Sequence, residues 1–354
     1  MRRRDFLKSS AAAVAGTAAL PLARSAWAAD KPEQIVVMTW GGLWGDSIKA
    51  GVDAAFEKAT GIKVLQDRSS SPVQRITKLR VSLNDQKYDV VQIHDGLVPL
   101  AVREGVFEKL DKNSPRLTNL KDVYPRFIQD YWVAQIFSPL GVVYNTKLVK
   151  SPPTGFADLW RPEFKNRIVL PDISHSIGPY IIPIGALALG KDPKDEAAGF
   201  EMLKKMVALQ PIWAKDTDSI MNALRDEEAL IGILYKSQTY TVQGWGTPVA
   251  WVYPKEGAIL YSAGTAIAKN TKNRVWAETY LNLTLDPKIQ TIYTEKFNYP
   301  GTNRKMVSLL PANLQERVKM SDAEFNRLIE LDQAFMADHR AEMTDRWNRI
   351  VAGG

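Results

Sequence analysis

Residues 34–65 read QIVVMTWGGLWGDSIKAGVDAAFEKATGIKVL, and the succession of patterns inside them decides the fold class. Gln34 to Thr39 is a short apolar run rich in β-branched residues, the composition of a parallel strand covered on both faces. Gly41, Gly42 and Gly45 break that run, and Asp46 opens a helix whose apolar positions, Ile48, Val52, Ala55, Phe56 and Ala59, recur on one face. Gly61 ends the helix, and Ile62 to Leu65 reads as a second strand. Strand, loop, helix and strand in that order make an α/β unit.

Further along the chain the unit repeats. Val73, Ile76, Leu79 and Leu83 predict a helix, Tyr88 to Ile93 a strand, and Gly96 to Arg103 a helix stopped by Gly105. Ile136 to Asn145 reads as a long strand containing Pro139 and Gly141, and Pro248 to Tyr253 as a second extended run. Between them stand a strand at Ile168 to Leu170, helices at Gly178 to Leu189 and Asp195 to Gln210, and a strand at Ala229 to Leu234. After Pro254 the alternation resumes, with helices at Asn273 to Leu285 and Pro287 to Lys296. The C-terminal part reads as helical: Ser321 and Glu324 form a capping box, and Phe325, Leu328, Leu331 and Phe335 follow at helical spacing. Met336, Met343, Trp347 and Ile350 prolong an apolar face that suits packing better than a cofactor site. The expected architecture is therefore two α/β lobes, residues 29–137 with 254–302 and residues 138–253, with a C-terminal helical segment, 303–354, packed on them. Two crossing strands form a hinge, and a cleft opens between the lobes.

Composition agrees. The chain has 354 residues, 45% hydrophobic and 24% charged, a globular profile with length for two domains. It contains no cysteine, which excludes disulfides, thiolate nucleophiles, cysteine-bound zinc and iron–sulfur clusters. Residues 1–28 read as a secretory leader: Arg2, Arg3, Arg4 and Lys8 come first, Ser9 to Ala23 carries no charge, and Ala26-Trp27-Ala28 supplies small residues before a cleavage site. The run Arg3-Arg4-Asp5-Phe6-Leu7-Lys8 is similar to a twin-arginine export signal, so a mature chain starting near Ala29 in the periplasm is expected. With five basic residues and one acid, the leader holds four of the seven net positive charges and leaves +3. That small surplus, with no basic run or recognisable motif, argues against a nucleic-acid partner.

Six local blocks resemble the solute-binding proteins of ABC importers, in the branch that includes spermidine/putrescine binders. They are Thr39-Trp40-Gly41-Gly42 with the helix leading to Gly61-Ile62-Lys63-Val64; Tyr88-Asp89-Val90-Val91; Gly141 to Lys147; Pro153 to Trp160; Pro254-Lys255-Glu256-Gly257; and Asp286 to Gln290. The resemblance implies a type II periplasmic-binding-protein fold that closes on one small solute by hinge bending. It also implies delivery to a permease and ATPase complex of the inner membrane, by a monomer without a cofactor.

Ligands of such folds sit beyond the carboxyl ends of strands, which nominates particular loops. Trp40 follows the first strand, where an indole stacks on a planar or cationic group or else packs in the core, and Gly41 and Gly42 beside it permit close backbone approach. His94 and Asp95 follow the strand ending at Ile93. Ser174, His175 and Ser176 join a strand to a helix, where hydroxyls and free N–H groups favour an anion or simply cap the helix. Tyr235, Lys236 and Gln238 follow the strand ending at Leu234, and Tyr261 and Ser262 sit in a return loop of the first lobe. Polyamine binders of this branch place acids near these aromatics, whereas this chain has Lys236, Ser262 and Ala263 there. A buried Lys236 would repel a diammonium ligand, which favours a solute bearing a carboxylate or phosphonate, with any amine near Asp95. If Lys236 faces solvent instead, polyamine binding regains ground. Ferric-ion capture by histidine and tyrosine is a further alternative, although no Tyr-Tyr pair occurs. No hydrolase elbow, His-Glu-x-x-His or phosphate loop accompanies the three histidines, so an enzyme is not expected.

Overall fold

The computed structural model describes residues 31–68 and 71–353, so the expected leader lies outside the described residues. Among the described residues nine strands run Gln34–Met38 (β1), Lys63–Asp67 (β2), Val90–His94 (β3), Val133–Asn145 (β4), Ile168–Pro171 (β5), Ile212–Ala214 (β6), Ile231–Tyr235 (β7), Val249–Val252 (β8) and Ile259–Ile267 (β9). They join in the order β2-β1-β3-β9-β4-β7-β5-β6, with β8 paired to β4 off that path. The outer pairs β1 with β2 and β3, and β5 with β6 and β7, are parallel. The inner pairs are antiparallel.

Buried side chains gather into two main cores. The first contains Ile35, Phe56, Ile93, Trp132, Phe137 and Tyr280; the second contains Leu140, Phe164, Ile182, Phe200, Ile233 and Trp347. β4 passes from one to the other between Phe137 and Leu140, and β9 does so between Ile259 and Leu260. The second crossing is therefore β9, and the run expected to cross, Pro248 to Tyr253, instead contributes β8 on the edge of β4 at Val142–Asn145. β9 lacks the alternation of a half-buried strand because Ser262, Ala263, Thr265 and Ala266 are buried whichever face they point to. Tyr261 and Ser262 accordingly sit inside a strand, not in a return loop.

Three further expectations change. The first helix begins at Gly42, takes Gly45 into its interior, and passes through a π turn at Lys49–Asp53 before Ala54–Thr60. In that turn Asp53 accepts 2.6 Å bonds from the Tyr280 hydroxyl and Gln66 Nε2, and burial pushes its carboxyl up to about 6. Lys236, expected in a loop, starts the helix Lys236–Gly244. At the C-terminus the Ser321–Glu324 capping box is formed, but its helix stops at Asn326 and helices resume at Gln333–Asp338 and Arg340–Ala352. Between them Ile329 donates to Ala258 O (2.9 Å) and accepts from Leu260 N (2.8 Å). This backbone pairing beside β9 uses the groups that would continue the helix. Leu328 joins the first core and Leu331 the second, so the C-terminal segment crosses between the cores as well.

Candidate solute-binding site

β1 and β3 end side by side, and the chain leaves them carrying aromatic and titratable groups. After Trp40, Gly42 adopts φ +57°, a left-handed conformation that lets the strand turn directly into its helix. The Trp40 indole meets Trp44 edge-on at 5.7 Å, and the Arg75 guanidinium lies over it, 4.6 Å from the ring centroid. Arg75 is 1% exposed and donates to the carbonyls of Gln92 (2.5 Å) and Thr39 (2.7 Å). At the end of β3, Asp95 Oδ2 accepts from Ser262 N (2.8 Å) and Ser262 Oγ (3.0 Å), and Oδ1 from Gly96 N (2.8 Å). Burial nevertheless pushes its carboxyl up to about 7, against the pull of those donors. Beside it the His94 ring stacks on Tyr261 at 6.3 Å. Burial first, then the charges of Arg75 and Arg340, lower His94 to about 4, so its imidazole is neutral at pH 7.

The second core presents tyrosines to the same place. Tyr235 ends β7 with its ring 4.8 Å from Tyr261, and the Tyr180 hydroxyl accepts from Gln333 Nε2 at 2.9 Å. Tyr299 hydrogen-bonds Ser237, whose Oγ is 3.1 Å from Ser138 Oγ. Burial raises the hydroxyls of Tyr180, Tyr235, Tyr261 and Tyr299, which leaves neutral phenols, the first three of them near the Asp95 carboxyl, on which Glu330 also acts. Arg340, first residue of the last helix, reaches this group and donates to Ile173 O at 3.3 Å. The structure thus brings together Trp40, His94, Asp95, Tyr235, Tyr261 and Ser262.

It does not bring in the others as expected. Ser174 donates from N (2.9 Å) and Oγ (2.6 Å) to Asp172 Oδ1. His175 Nδ1 accepts from Ile177 N at 3.1 Å, so Nε2 is assigned the proton and faces Thr217 Oγ1 at 3.2 Å; Ser176 Oγ is 3.4 Å from Nδ1. The loop's donors close on its own acceptors, the Asp172 carboxylate and the His175 ring. Gly178 completes this turn: a Cβ there would overlap the Asp172 carbonyl oxygen. Gly178→Ala is expected to lower stability by roughly 1–3 kcal/mol, seen as a lower melting temperature, and an unchanged melt would contradict that packing.

Lys236 is likewise turned away. Its Nζ donates to Lys319 O at 3.4 Å, among Ser138, Pro139, Arg317 and Val318, and burial lowers its pKa. Helix phase explains this, since Ser237, Thr239 and Val242 occupy the buried positions of Lys236–Gly244. Gln238 is half-buried, and its Oε1 has no partner among the described residues. Arg75, Tyr180, Tyr299, Gln333 and Arg340 escape a reading of strand-end loops. Only Arg75 leaves a local signal: it stands one turn before Leu79, on the apolar face of the helix Pro72–Val81. Among the described residues, no three or more His, Asp or Glu side chains are placed to hold a metal ion.

Comparison with known proteins gives this geometry a context. A spermidine/putrescine-binding periplasmic protein of Escherichia coli K12 is 29% identical over 293 residues, covering 79% of this chain and 82% of its own. A gamma-aminobutyric acid-binding protein of Pseudomonas aeruginosa PAO1 is 22% identical over 351 residues, 94% of each chain. The solved structure of the Atu4243–GABA receptor superposes with a TM-score of 0.78 at 23% identity, over 91% of this chain and 98% of that one. The fold is the two-lobed type II fold of periplasmic binding proteins. Residues 52–321 match the model of the bacterial extracellular solute-binding proteins, and the chain belongs to that family.

Proposed function

We propose that this solute-binding protein captures a small zwitterion, a carboxylate joined to an amine, and serves as the receptor of an ABC importer. The mature chain, from about Ala29, works in the periplasm as a monomer. Its lobes are residues 29–137 with 254–302 and residues 138–253, the segment 303–354 packs on both, and the permease and ATPase receive the solute from it. The periplasmic relatives support this setting, as does the finding that no described helix is long and apolar enough to cross a membrane. One observation carries the ligand class. The guanidiniums of Arg75 and Arg340 both act on His94, while the Asp95 carboxyl group acts on Tyr180, Tyr235 and Tyr261. Two cations beside a neutral imidazole favour a carboxylate, and a carboxyl group beside phenols favours an ammonium. A diamine would bring a second positive charge beside Arg340.

Calorimetric titration with γ-aminobutyrate, putrescine, spermidine and ferric ion tests this reading. γ-Aminobutyrate is expected to bind and the diamine not, and Arg340→Ala to weaken it by roughly 1.5–3 kcal/mol, the range for a hydrogen bond to a charged group. Lys236→Ala is expected to leave the affinity unchanged, because Nζ is engaged with Lys319. Putrescine binding tighter than γ-aminobutyrate would overturn the zwitterion. The polyamine reading would then take its place, since turning Lys236 away removes one ammonium that opposed it.

A further inference from the structure

We propose that Arg75 is a positioning residue for solute capture: anchored on the backbone carbonyls of Thr39, just past β1, and Gln92, within β3, its guanidinium holds the Trp40 indole as a fixed platform at the strand ends that carry Trp40 and His94. The inference rests on the reading of this cleft as the solute site. Arginine is among the residues least often found fully buried, yet Arg75 is 1% exposed on a helix face shared with Ile76 and Leu79. An apolar residue would pack there without the cost of desolvating a charge. What the guanidinium adds is geometric. Its two amino groups reach Gln92 O, inside β3 two residues before His94, and Thr39 O, just past the end of β1 and next to Trp40. Its Cζ meanwhile lies over the indole, 4.6 Å from the ring centroid. Trp44, itself fixed by a 3.2 Å bond to Gln92 Oε1, meets the same indole edge-on. The ring is held from two sides while Trp40 stays only half-buried. The same positive charge also works against protonation of His94, after burial the largest influence on it.

The mature chain labelled with 5-fluorotryptophan gives a fluorine resonance for Trp40, assigned by its loss in Trp40→Phe. In Arg75→Met this resonance is expected to shift and broaden. The His94 titration midpoint is expected to rise from about 4 without reaching its ordinary value, since burial and Arg340 remain. The dissociation constant for γ-aminobutyrate is expected to increase roughly tenfold. Arg75→Lys keeps the charge but not the flat fork, so it separates the two effects: His94 stays low while the Trp40 resonance broadens. A folded Arg75→Met with wild-type Trp40 and His94 signals would overturn the proposal, as would altered signals with unchanged affinity. If Arg75→Met does not fold, Arg75→Lys is judged on its Trp40 resonance, and a wild-type line overturns the platform. Should the wild-type protein not bind γ-aminobutyrate, that failure belongs to the ligand class. The Trp40 and His94 signals of the free protein then decide the role of Arg75.

Discussion

Capture of γ-aminobutyrate is expected to release close to one proton near pH 6, and its affinity to rise roughly twentyfold between pH 5.5 and 7.5. Asp95 is the source of that proton. In the free protein burial holds its carboxyl up to about 7, even though Ser262 and Gly96 donate to it. An ammonium seated among Tyr180, Tyr235 and Tyr261 would favour the carboxylate and draw the pKa down, so binding expels the proton over the interval between the two values. Titration calorimetry in buffers of different ionisation enthalpy reads the release directly. A heat independent of buffer, together with flat affinity, would move the amine away from Asp95.

The same groups shape stability in the empty protein, with opposite signs. Asp95, raised from an unfolded value near 4, contributes stability that is complete below about pH 4 and is lost as the pH climbs through about 7. His94, lowered from about 6.5 to about 4, contributes stability present above 6.5 and lost as the pH falls through 4. The two trends oppose one another between pH 4 and 6.5. Asp95→Asn removes one of them, so its melting temperature is expected to fall more steeply on acidification than the wild type's. Parallel curves would mean that Asp95 does not titrate in this interval.

How far the sequence announces this site depends on where each residue's neighbours lie in the chain. The parallel unit from Gln34 to Asp67 is written in local signals, a β-branched run, a helical apolar stripe and Gly61 in the left-handed region. His94 and Asp95 follow because a strand end is a local feature. β9 is obscured because it is buried on both faces, so small residues such as Ser262 and Ala263 replace the alternation that marks a strand. Arg340 and Gln333 reach the cleft only because Ile329 pairs beside β9 and turns the C-terminal segment back across the cores. No spacing within that segment encodes such a return. Lys236 shows the converse: its position after β7 is legible, but the phase of the helix it starts aims Nζ at Lys319 instead of the cleft.

Trp347→Ala is expected to cost roughly 3–5 kcal/mol of stability and to weaken solute binding, although the indole touches no part of the site. Trp347 is 1% exposed in the second core, 4.8 Å from the Trp213 ring in an edge-on pair, with Met343 buried one turn earlier. It is the chief apolar anchor of the helix Arg340–Ala352, and Arg340 stands at that helix's first residue. Loosening the helix also loosens what precedes it: His339 bonds Glu196, Lys194 bonds Asp332 at 2.6 Å, and Arg103 pairs with Asp338. The exposed pairs Lys194–Asp332 and Arg103–Asp338 are worth little singly, so the segment depends on the indole to stay in place. Trp132→Ala provides the comparison, because Trp132 is equally buried but lies in the first core, away from Arg340. Both variants should lose similar stability, and only Trp347→Ala should raise the dissociation constant for γ-aminobutyrate by more than about tenfold, the loss expected when a charged hydrogen-bond partner is mispositioned. Equal affinity in the two variants would show that the last helix serves stability alone, and would take Arg340 out of the binding site.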